Sequence, residues 1–411
     1  MNSFAHTSAD VAVISLHTSP LSQPGAADSG GMNVYIRELS QAMAHLGHNI
    51  TIYVRRSSHE EPFEREVEPG VSVVTVPAGP FDLAKEKLPA VVEEFAQQVL
   101  IDIEARGGVD IVHAHYWLSG MAGHILKHEL DCPLLINFHT LARARWGEEL
   151  SDTEISERAE NEQSVIDCSD NVVVSCGPER EQLMQFYDVD SERIAVVPPG
   201  VEHGFFSPGD KVSARRAIGF SEDPLLLFVG RITPLKNPTL AVETLAQLSG
   251  VRLAIVGGLS GTGGEVEMRS MRAVAERFGV ANRISYVSPK SHRVLSSYYR
   301  AADAVLIPSR SESFGLVALE SAASGTPVVA SSVGGLSSLV EHGRTGFLVP
   351  EPAPELYAAL LNEILENGSR AAEMSMNAVE LAARYSWQSA GESLSQVYSE
   401  VLSASLVDCL V

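Results

Sequence analysis

The sequence predicts an α/β protein made of two domains, each built on a parallel sheet. Three observations carry this reading. Short runs rich in Val, Ile and Leu recur along the 411 residues and alternate with stretches of helical periodicity. Most of these runs are apolar throughout, as in strands that helices cover on both faces. Their number, roughly a dozen, exceeds one comfortable open sheet, while the chain length suits two or three domains of roughly 100–200 residues.

Taken in order, strands are expected at DVAVISL from Asp10, ITIYV from Ile50, VSVVTV from Val71, DIVHAHY from Asp110, PLLINFH from Pro133, NVVVSC from Asn171 and RIAVVPPG from Arg193. The second half supplies LLLFVG from Leu225, RLAIVGG from Arg252, RISYVS from Arg283, AVLIPS from Ala304, PVVASS from Pro327 and GFLV from Gly346. The join is expected near Pro198-Pro199-Gly200, where a strand ends in a stiff turn. A first domain therefore covers 1–200 and a second 201–386. Helical patterning resumes at Trp387 and runs to about Ser403; residues 387–411 are expected to cross back and pack on the first domain. Two Rossmann-like domains of this kind bind ligands at the carboxyl ends of their strands, so facing sheets with a deep cleft between them are expected.

Composition narrows the function. Lys and Arg number 30 against 52 Asp and Glu, a net charge of −22 with neutral histidines. Such a surface repels phosphate backbones and anionic lipid, which argues against nucleic-acid and membrane partners. An anionic substrate must then be held by a few local cations. No apolar run approaches the 18 residues or so of a membrane span, and the opening MNSFAHTSADVAVISLH has no basic region before its strand-like pattern, so a cytoplasmic protein is expected. Cys132, Cys168, Cys176 and Cys409 show no C-x-x-C spacing and are expected as reduced, buried thiols.

Several motifs bear on chemistry. Gly30 and Gly31 precede a helix near Met32, where backbone amides and the helix dipole favour an anion, although Gly-Gly there is also an ordinary tight turn. His113 and His115 share one face of a strand; packing, substrate contact and metal ligation stay open, with no carboxylate or cysteine nearby to complete a metal set. His124 and His128 have the i, i+4 spacing, but Ile125 breaks H-E-x-x-H. GGLSGTGG from Gly257 fails the nucleophile-elbow frame at Thr262, and no Walker A motif occurs. Arg231 and Lys236 follow the LLLFVGR strand; two cations five residues apart there can clamp a diphosphate, although such a pair taken alone is also ordinary surface charge. In PSRSESFGLVALESAASGTPVV, Glu312 sits at the turn and Glu320 eight residues on, about 12 Å and 80° away if helical. Between them the Ser313–Leu316 amides point at an anion.

Arg231…Lys236 followed by Glu312-x7-Glu320 resembles the donor site of the family-4 retaining glycosyltransferases, which have the GT-B fold. The resemblance spans nearly the whole chain. HTSPLSQPGAADSGGMNVYI, GPFDLAKEKLP, HAHYWLSG, NFHTLA and FVGRITPLK are most similar to the subgroup that uses inositol phosphate and opens mycothiol biosynthesis. The resemblance implies a hexosyltransferase acting on UDP-N-acetylglucosamine (UDP-GlcNAc) and inositol 3-phosphate. It implies that Gln23, Pro24 and Gly31 approach the donor, that Arg231 and Lys236 hold the diphosphate, and that Lys290 lies near the uracil. Glu312 would take the sugar, Glu320 the ribose, and His139 the transferred sugar. On the acceptor side it implies contacts from His17 and from Asp28, Ser29, Gly30, Gly31, Met32 and Asn33 to inositol. Lys85, Tyr116, Thr140 and Arg158 fall on phosphate-binding positions. Some relatives carry Mg2+ near the positions of Tyr299, Arg300, Ala302 and Thr326; nothing in this sequence demands a metal, and the chemistry needs no cofactor beyond the UDP-sugar substrate. The loop around Lys85 is one residue shorter than usual, and VSCGPEREQL and GGLSSLVEHG depart from the subgroup.

No carboxylate pair with glycosidase roles is apparent, so same-face attack with the departing phosphate as base is the expected mechanism. Rivals are a retaining transferase with another acceptor, of the sucrose-phosphate-synthase kind, a UDP-sugar epimerase, and a non-catalytic sugar-nucleotide binder. Partners are small molecules; a homodimer stays open.

Overall fold

The computed structural model describes residues 8–25, 29–144 and 152–409. Its eight-stranded sheet comprises β1 (Asp10–Ile14), β2 (Asn49–Arg55), β3 (Glu64–Glu68), β4 (Val71–Val76), β5 (Ile111–His115), β6 (Leu134–Asn137), β7 (Asn171–Val174) and β8 (Ile194–Val196). Its helices are α1 (Gly31–His45), α2 (Val92–Arg106), α3 (Trp117–Leu130), α4 (Asp152–Cys168) and α5 (Gly177–Phe186). The six-stranded sheet comprises β9 (Leu225–Val229), β10 (Arg252–Val256), β11 (Ile284–Val287), β12 (Ala304–Ile307), β13 (Val328–Ser331) and β14 (Gly346–Val349). With it go α6 (Lys211–Ile218), α7 (Pro238–Ala246), α8 (Gly261–Arg277), α9 (His292–Ala301), α10 (Leu316–Ala323), α11 (Leu336–Leu339), α12 (Pro354–Glu366) and α13 (Gly368–Ala382). The last helix is α14 (Trp387–Ser403).

Every expected strand is present, and among the described residues the one addition is β3. Its sequence, EREVE, is charged and only partly buried, so it carries no apolar signal; it pairs antiparallel on the outside of β4. Charged residues on an edge strand also discourage pairing with other chains. All other strand pairs are parallel. Local chemistry closes the helices where the sequence allows it. Gly107, at φ 101°, ends α2 with its amide bonded to the Ile103 and Glu104 carbonyls, and the Asp210 carboxylate accepts the Ser213 amide at the start of α6.

Strand order decides where loops gather. The first sheet runs β3-β4-β2-β1-β5-β6-β7-β8, and the second β11-β10-β9-β12-β13-β14. The chain reverses direction across the sheet between β1 and β5 in one and between β9 and β12 in the other. Loops leaving the carboxyl ends of those strand pairs diverge, which opens a crevice there.

Contacts divide the chain into two units, each with its own core. One comprises 1–22, 32–198 and 387–411; the other comprises 23–31 and 199–386. The assignment of 23–31 corrects the expected first domain of 1–200. Gly25 explains it: its carbonyl accepts the Gly258 amide at 2.9 Å, and Pro289 packs 3.5 Å from where a Cβ would stand. The returning helix α14 joins the first core through Tyr398, whose hydroxyl lies 2.8 Å from His113 Nδ1, and through Ser395, 2.9 Å from His48 Nε2. A Cβ on Gly391 would stand 3.0 Å from Ala42 Cβ, so a small residue lets the helix seat closely. Beyond α14 the tail reaches α4, and Cys168 and Cys409, 241 residues apart, form a disulfide with Cα atoms 5.1 Å apart. The expectation of four reduced thiols is corrected here: the partners are remote in sequence, so no spacing rule could pair them. Cys132 and Cys176 take no part in it and are buried. Among the described residues no helix is long and apolar enough to cross a membrane.

Tyr398 is fully packed, and its loss of a hydroxyl leaves a buried imidazole nitrogen unsatisfied. Tyr398→Phe is expected to cost about 1–2 kcal/mol, read as a lower midpoint in chemical denaturation of the N-terminal unit. An unshifted midpoint would remove this bond from the account of how α14 is held.

Candidate active site

In the N-terminal unit the reversal between β1 and β5 brings together the loops that begin at His17 and Tyr116. Their rings lie 4.3 Å apart. Tyr116 adopts φ 77° and ψ 152°, a backbone region nearly reserved for glycine, and His139 after β6 has φ 61°. Two such conformations at neighbouring strand ends mark side chains aimed by the fold rather than by local preference. Arg158, from α4, completes the cluster. Its guanidinium lies 5.0 Å from the Tyr116 ring centroid and donates to the Thr140 carbonyl at 2.7 Å and hydroxyl at 3.0 Å. Glu162, fully buried, accepts from Arg158 Nε at 2.8 Å and also takes the Ala142 amide and the Tyr187 hydroxyl. Tyr116, Thr140, Arg158 and His17 are thus gathered around one held cation. Lys85 opens the short 3-10 helix Lys85–Val91 and is exposed.

Behind this cluster runs a line of buried histidines. Asn137 donates its amide to the Val173 carbonyl at 2.7 Å, so its Oδ1 is an acceptor and His113 Nε2, 2.7 Å away, carries the proton. His113 Nδ1 then accepts from Tyr398. His113 stacks on His115 at 4.6 Å, and His115 Nδ1 meets His139 Nε2 at 3.0 Å. Burial pushes His113 down to about 4 and His139 to about 3, and holds His115 well below its usual value. All three are neutral at pH 7, so His139 offers a hydrogen-bonding imidazole rather than a cation. Asn33, on α1, pins the loop after β1 by donating to the Thr18 hydroxyl and the Ser19 carbonyl at 2.7 and 2.8 Å.

The C-terminal unit builds its site at the reversal between β9 and β12. Arg231 follows β9 and donates to the Ser260 hydroxyl at 3.1 Å. Lys236 sits 2.5 Å from the Glu312 carboxylate, which the Ser309 hydroxyl also approaches at 3.3 Å. This ion pair joins two residues expected to take different parts of the donor; an ammonium has three protons, so the pairing leaves Lys236 further donors. Helix α10 starts only at Leu316, after Gly315 at φ 99°, so Glu312 lies in a turn and the rise expected for eight helical residues does not apply to it. Glu320 is buried on α10, accepts from the Tyr299 hydroxyl at 2.6 Å, and is pushed up to about 7 by burial. The Gln23–Gly31 segment belongs to this unit: a Cβ on Gly30 would stand 3.4 Å from Arg231 Nε, and one on Gly31 3.4 Å from Leu316. Gln23 is exposed and Pro24 half-buried. Lys290 Nζ donates to the Ser288 hydroxyl at 3.2 Å beside Pro289. Ser29 is buried, Met32 and Asn33 belong to the other unit, and Asp28 lies outside the described residues.

Two glycine pairs hold these loops together and were not read as functional from sequence. A Cβ on Gly257 would collide with the Gly230 carbonyl, so GGLSGTGG serves backbone contact beneath Arg231. Gly334 and Gly335 press on the Glu312–Phe314 turn in the same way, and the Gly335 amide donates to the Glu312 carbonyl at 3.0 Å. The Gly-Gly after the PVVASS strand was the available signal.

The positions considered for magnesium do not form a shell for it. Thr326 donates its hydroxyl to the Tyr299 carbonyl at 2.7 Å, Arg300 donates to the Ser207 carbonyl at 2.8 Å, and Ala302 has only its backbone to offer. None of these four residues brings a carboxylate, and the Arg300 guanidinium stands among their neutral oxygens, a donor set that suits Mg2+ poorly.

These geometries can be set beside known proteins. The profile described as glycosyl transferase 4-like domain matches residues 30–200, and that described as glycosyl transferases group 1 matches 210–381. The chain is 40% identical over 403 residues to D-inositol 3-phosphate glycosyltransferase 2 of Catenulispora acidiphila, covering 95% of this chain and 94% of that one. It is 41% identical over 399 residues to D-inositol 3-phosphate glycosyltransferase of Mycobacteroides abscessus, covering 95% and 89%. Among solved structures it is similar to sucrose-phosphate synthase from Thermosynechococcus elongatus, with a TM-score of 0.89, 28% identity and coverage of 95% and 98%.

The depressed histidines carry a pH prediction. Their folded pKa values lie below the ordinary 6.5, so the stability they contribute is complete above 6.5 and is lost as pH falls toward 4. Glu179, in the same unit and raised to about 6 by burial, acts oppositely, but His113, His115 and His139, with His124 also lowered by burial, outnumber it. The N-terminal unit is expected to lose stability as pH falls from 6.5 toward 4, read as a falling midpoint in chemical denaturation; a midpoint that holds steady across that range would contradict the argument. Ring-proton NMR should show His113 neutral until pH approaches 4; titration near 6.5 would contradict the burial argument.

Proposed function

Because the chain belongs to the D-inositol 3-phosphate glycosyltransferase family, we propose that it transfers N-acetylglucosamine from UDP-GlcNAc to 1D-myo-inositol 3-phosphate, with retention at the anomeric carbon, as the first step of mycothiol biosynthesis. The observation that carries the acceptor assignment is the Arg158 guanidinium, held by Thr140, Tyr116 and the buried Glu162. Glu162 takes Nε on one edge of the guanidinium, while the hydroxyls of Tyr116 and Thr140 stand beside its Nη atoms, so a planar fork and two hydroxyls are held together as a phosphate would need them. A small phosphorylated polyol suits it, with Lys85 as a second cation and His17 and Asn33 on the ring side.

The donor falls to the C-terminal unit. Arg231, Lys236 and the amides opening α10 support a diphosphate, Glu312 a sugar hydroxyl, and Glu320 the ribose, with Lys290 and the Gln23–Gly31 segment flanking the nucleotide. Reaction breaks the bond between the anomeric carbon and the β-phosphate oxygen, and its electrons leave with UDP. An inositol hydroxyl forms the new bond on the same face and passes its proton to that departing phosphate. Charge grows on the phosphate as it leaves, so preorganised cations and amides there lower the barrier; one such donor contributes about 3–4 kcal/mol. His139, neutral, hydrogen-bonds the transferred sugar without opposing the positive charge that develops on its ring.

UDP release measured with UDP-GlcNAc should require inositol 3-phosphate. Release without acceptor, or a 2-epimerised sugar, would sink the transferase reading, and acceptance of another phosphorylated sugar alone would move it to the sucrose-phosphate-synthase kind. Lys236→Ala is expected to lower kcat at least tenfold with the fold intact; unchanged turnover would take Lys236 out of the mechanism. Arg158→Lys keeps a charge beside Glu162 but loses the fork, so KM for inositol 3-phosphate should rise about 10–100-fold, matching about 1.5–3 kcal/mol for a charged hydrogen bond, while KM for the donor stays put.

A further inference from the structure

Away from these loops, the N-terminal unit gathers a second set of chemistry-bearing side chains that the transfer does not use. His124 and His128 stand one turn apart on α3, Cys168 ends α4, and Cys409 arrives from the tail beyond α14. One ligand atom from each lies within 4.8 Å of all the others, and among the described residues no other group of three or more metal-ligating side chains converges in this way. His128 Nε2 is 3.5 Å from Cys168 Sγ and 3.3 Å from Cys409 Sγ. The two imidazole rings lie 5.1 Å apart.

We propose that, with the disulfide opened, these four side chains form a tetrahedral N2S2 site for a borderline-soft divalent cation of the zinc class. A disulfide needs no histidines, yet two imidazoles crowd this one. Metal–sulfur and metal–nitrogen bonds of about 2.3 and 2.0 Å in a tetrahedron place sulfur and nitrogen about 3.5 Å apart, which is the spacing His128 already keeps from both sulfurs. Two thiolates cancel the dication, so the filled site is neutral and tolerates its partly buried position. The His124–His128 spacing puts both rings on one helical face, and thiolate with imidazole selects zinc over magnesium or calcium.

The surroundings hold the ligands in register. Lys127, between the histidines, donates to the Cys168 carbonyl at 2.7 Å and pairs with Asp170 at 2.8 Å. The same Asp170 accepts the Leu134 amide and, from the tail, the Val407 amide, both at 2.7 Å. The tail is therefore fixed two residues before Cys409 by a carboxylate two residues after Cys168. Opening the disulfide takes a dithiol reductant, which is oxidised to its own disulfide while Cys168 and Cys409 gain two electrons and two protons. Metal entry then releases those two protons as both thiolates bind, and the histidines contribute lone pairs. The disulfide and the metal are alternative clasps for the same tail.

Cobalt reports the site directly. The full chain, reduced under anaerobic conditions, stripped with a chelator and titrated with Co2+ alone, should take up one equivalent with the intense bands of a tetrahedral cobalt–thiolate centre, and Zn2+ should bleach them. Alkylation of Cys168 and Cys409 should slow when Zn2+ is present. Cys409→Ser and His128→Gln, made separately so that one misfolded variant does not decide the matter, should each lose the spectrum while circular dichroism is retained. Reduced protein that gives no such spectrum overturns the proposal, as does a spectrum that survives His124→Ala combined with His128→Gln.

Discussion

Parallel strand order is the constraint from which the chemistry follows. Once β5 takes its place beside β1 and β12 beside β9, the loops on either side of each junction must part. Side chains from distant parts of the chain fill that gap. In the N-terminal unit they are His17, Tyr116, His139 and Arg158; in the C-terminal unit, Arg231, Lys236 and Glu312. Each group draws on loops far apart in sequence, His17 and Arg158 in one and Arg231 and Glu312 in the other, and is assembled only by the sheet.

The second theme is how charge is managed in an acidic protein. Arg158 and Lys236 each face a carboxylate, Glu162 and Glu312 respectively. Such pairs hold a cation where the overall charge would otherwise leave its position to solvent. The histidine line does the reverse: it stays uncharged because burial makes protonation costly, and it passes rigidity from α14 through His113 and Asn137 toward His139. A helix that returns from the far end of the chain thus braces a residue in the loop after β6.

Much of this was legible without coordinates, and the reasons differ from residue to residue. Arg231, Lys236, Glu312 and Glu320 were found because they sit at fixed offsets from apolar runs. Tyr116, Thr140 and Arg158 came from likeness to a family, and nothing in their own spacing joins them. The edge strand β3 went unread because charged residues carry no apolar period. Gly257 and Gly334–Gly335 went unread as functional because a glycine needed for close backbone approach looks like any turn glycine until its neighbour is known.

Apolar periodicity, turn residues and charge count are properties of short windows, so the sequence alone determined the apolar strands, their alternation with helices, the two-sheet plan and the cationic loop of the C-terminal half. Proximity between distant windows is set by how sheets twist and helices dock, and only the tertiary structure decided it. That is why the transfer of Gln23–Gly31 to the second unit, the pairing of Lys236 with Glu312, and the meeting of Cys168 with Cys409 beside His124 and His128 had to be seen in three dimensions.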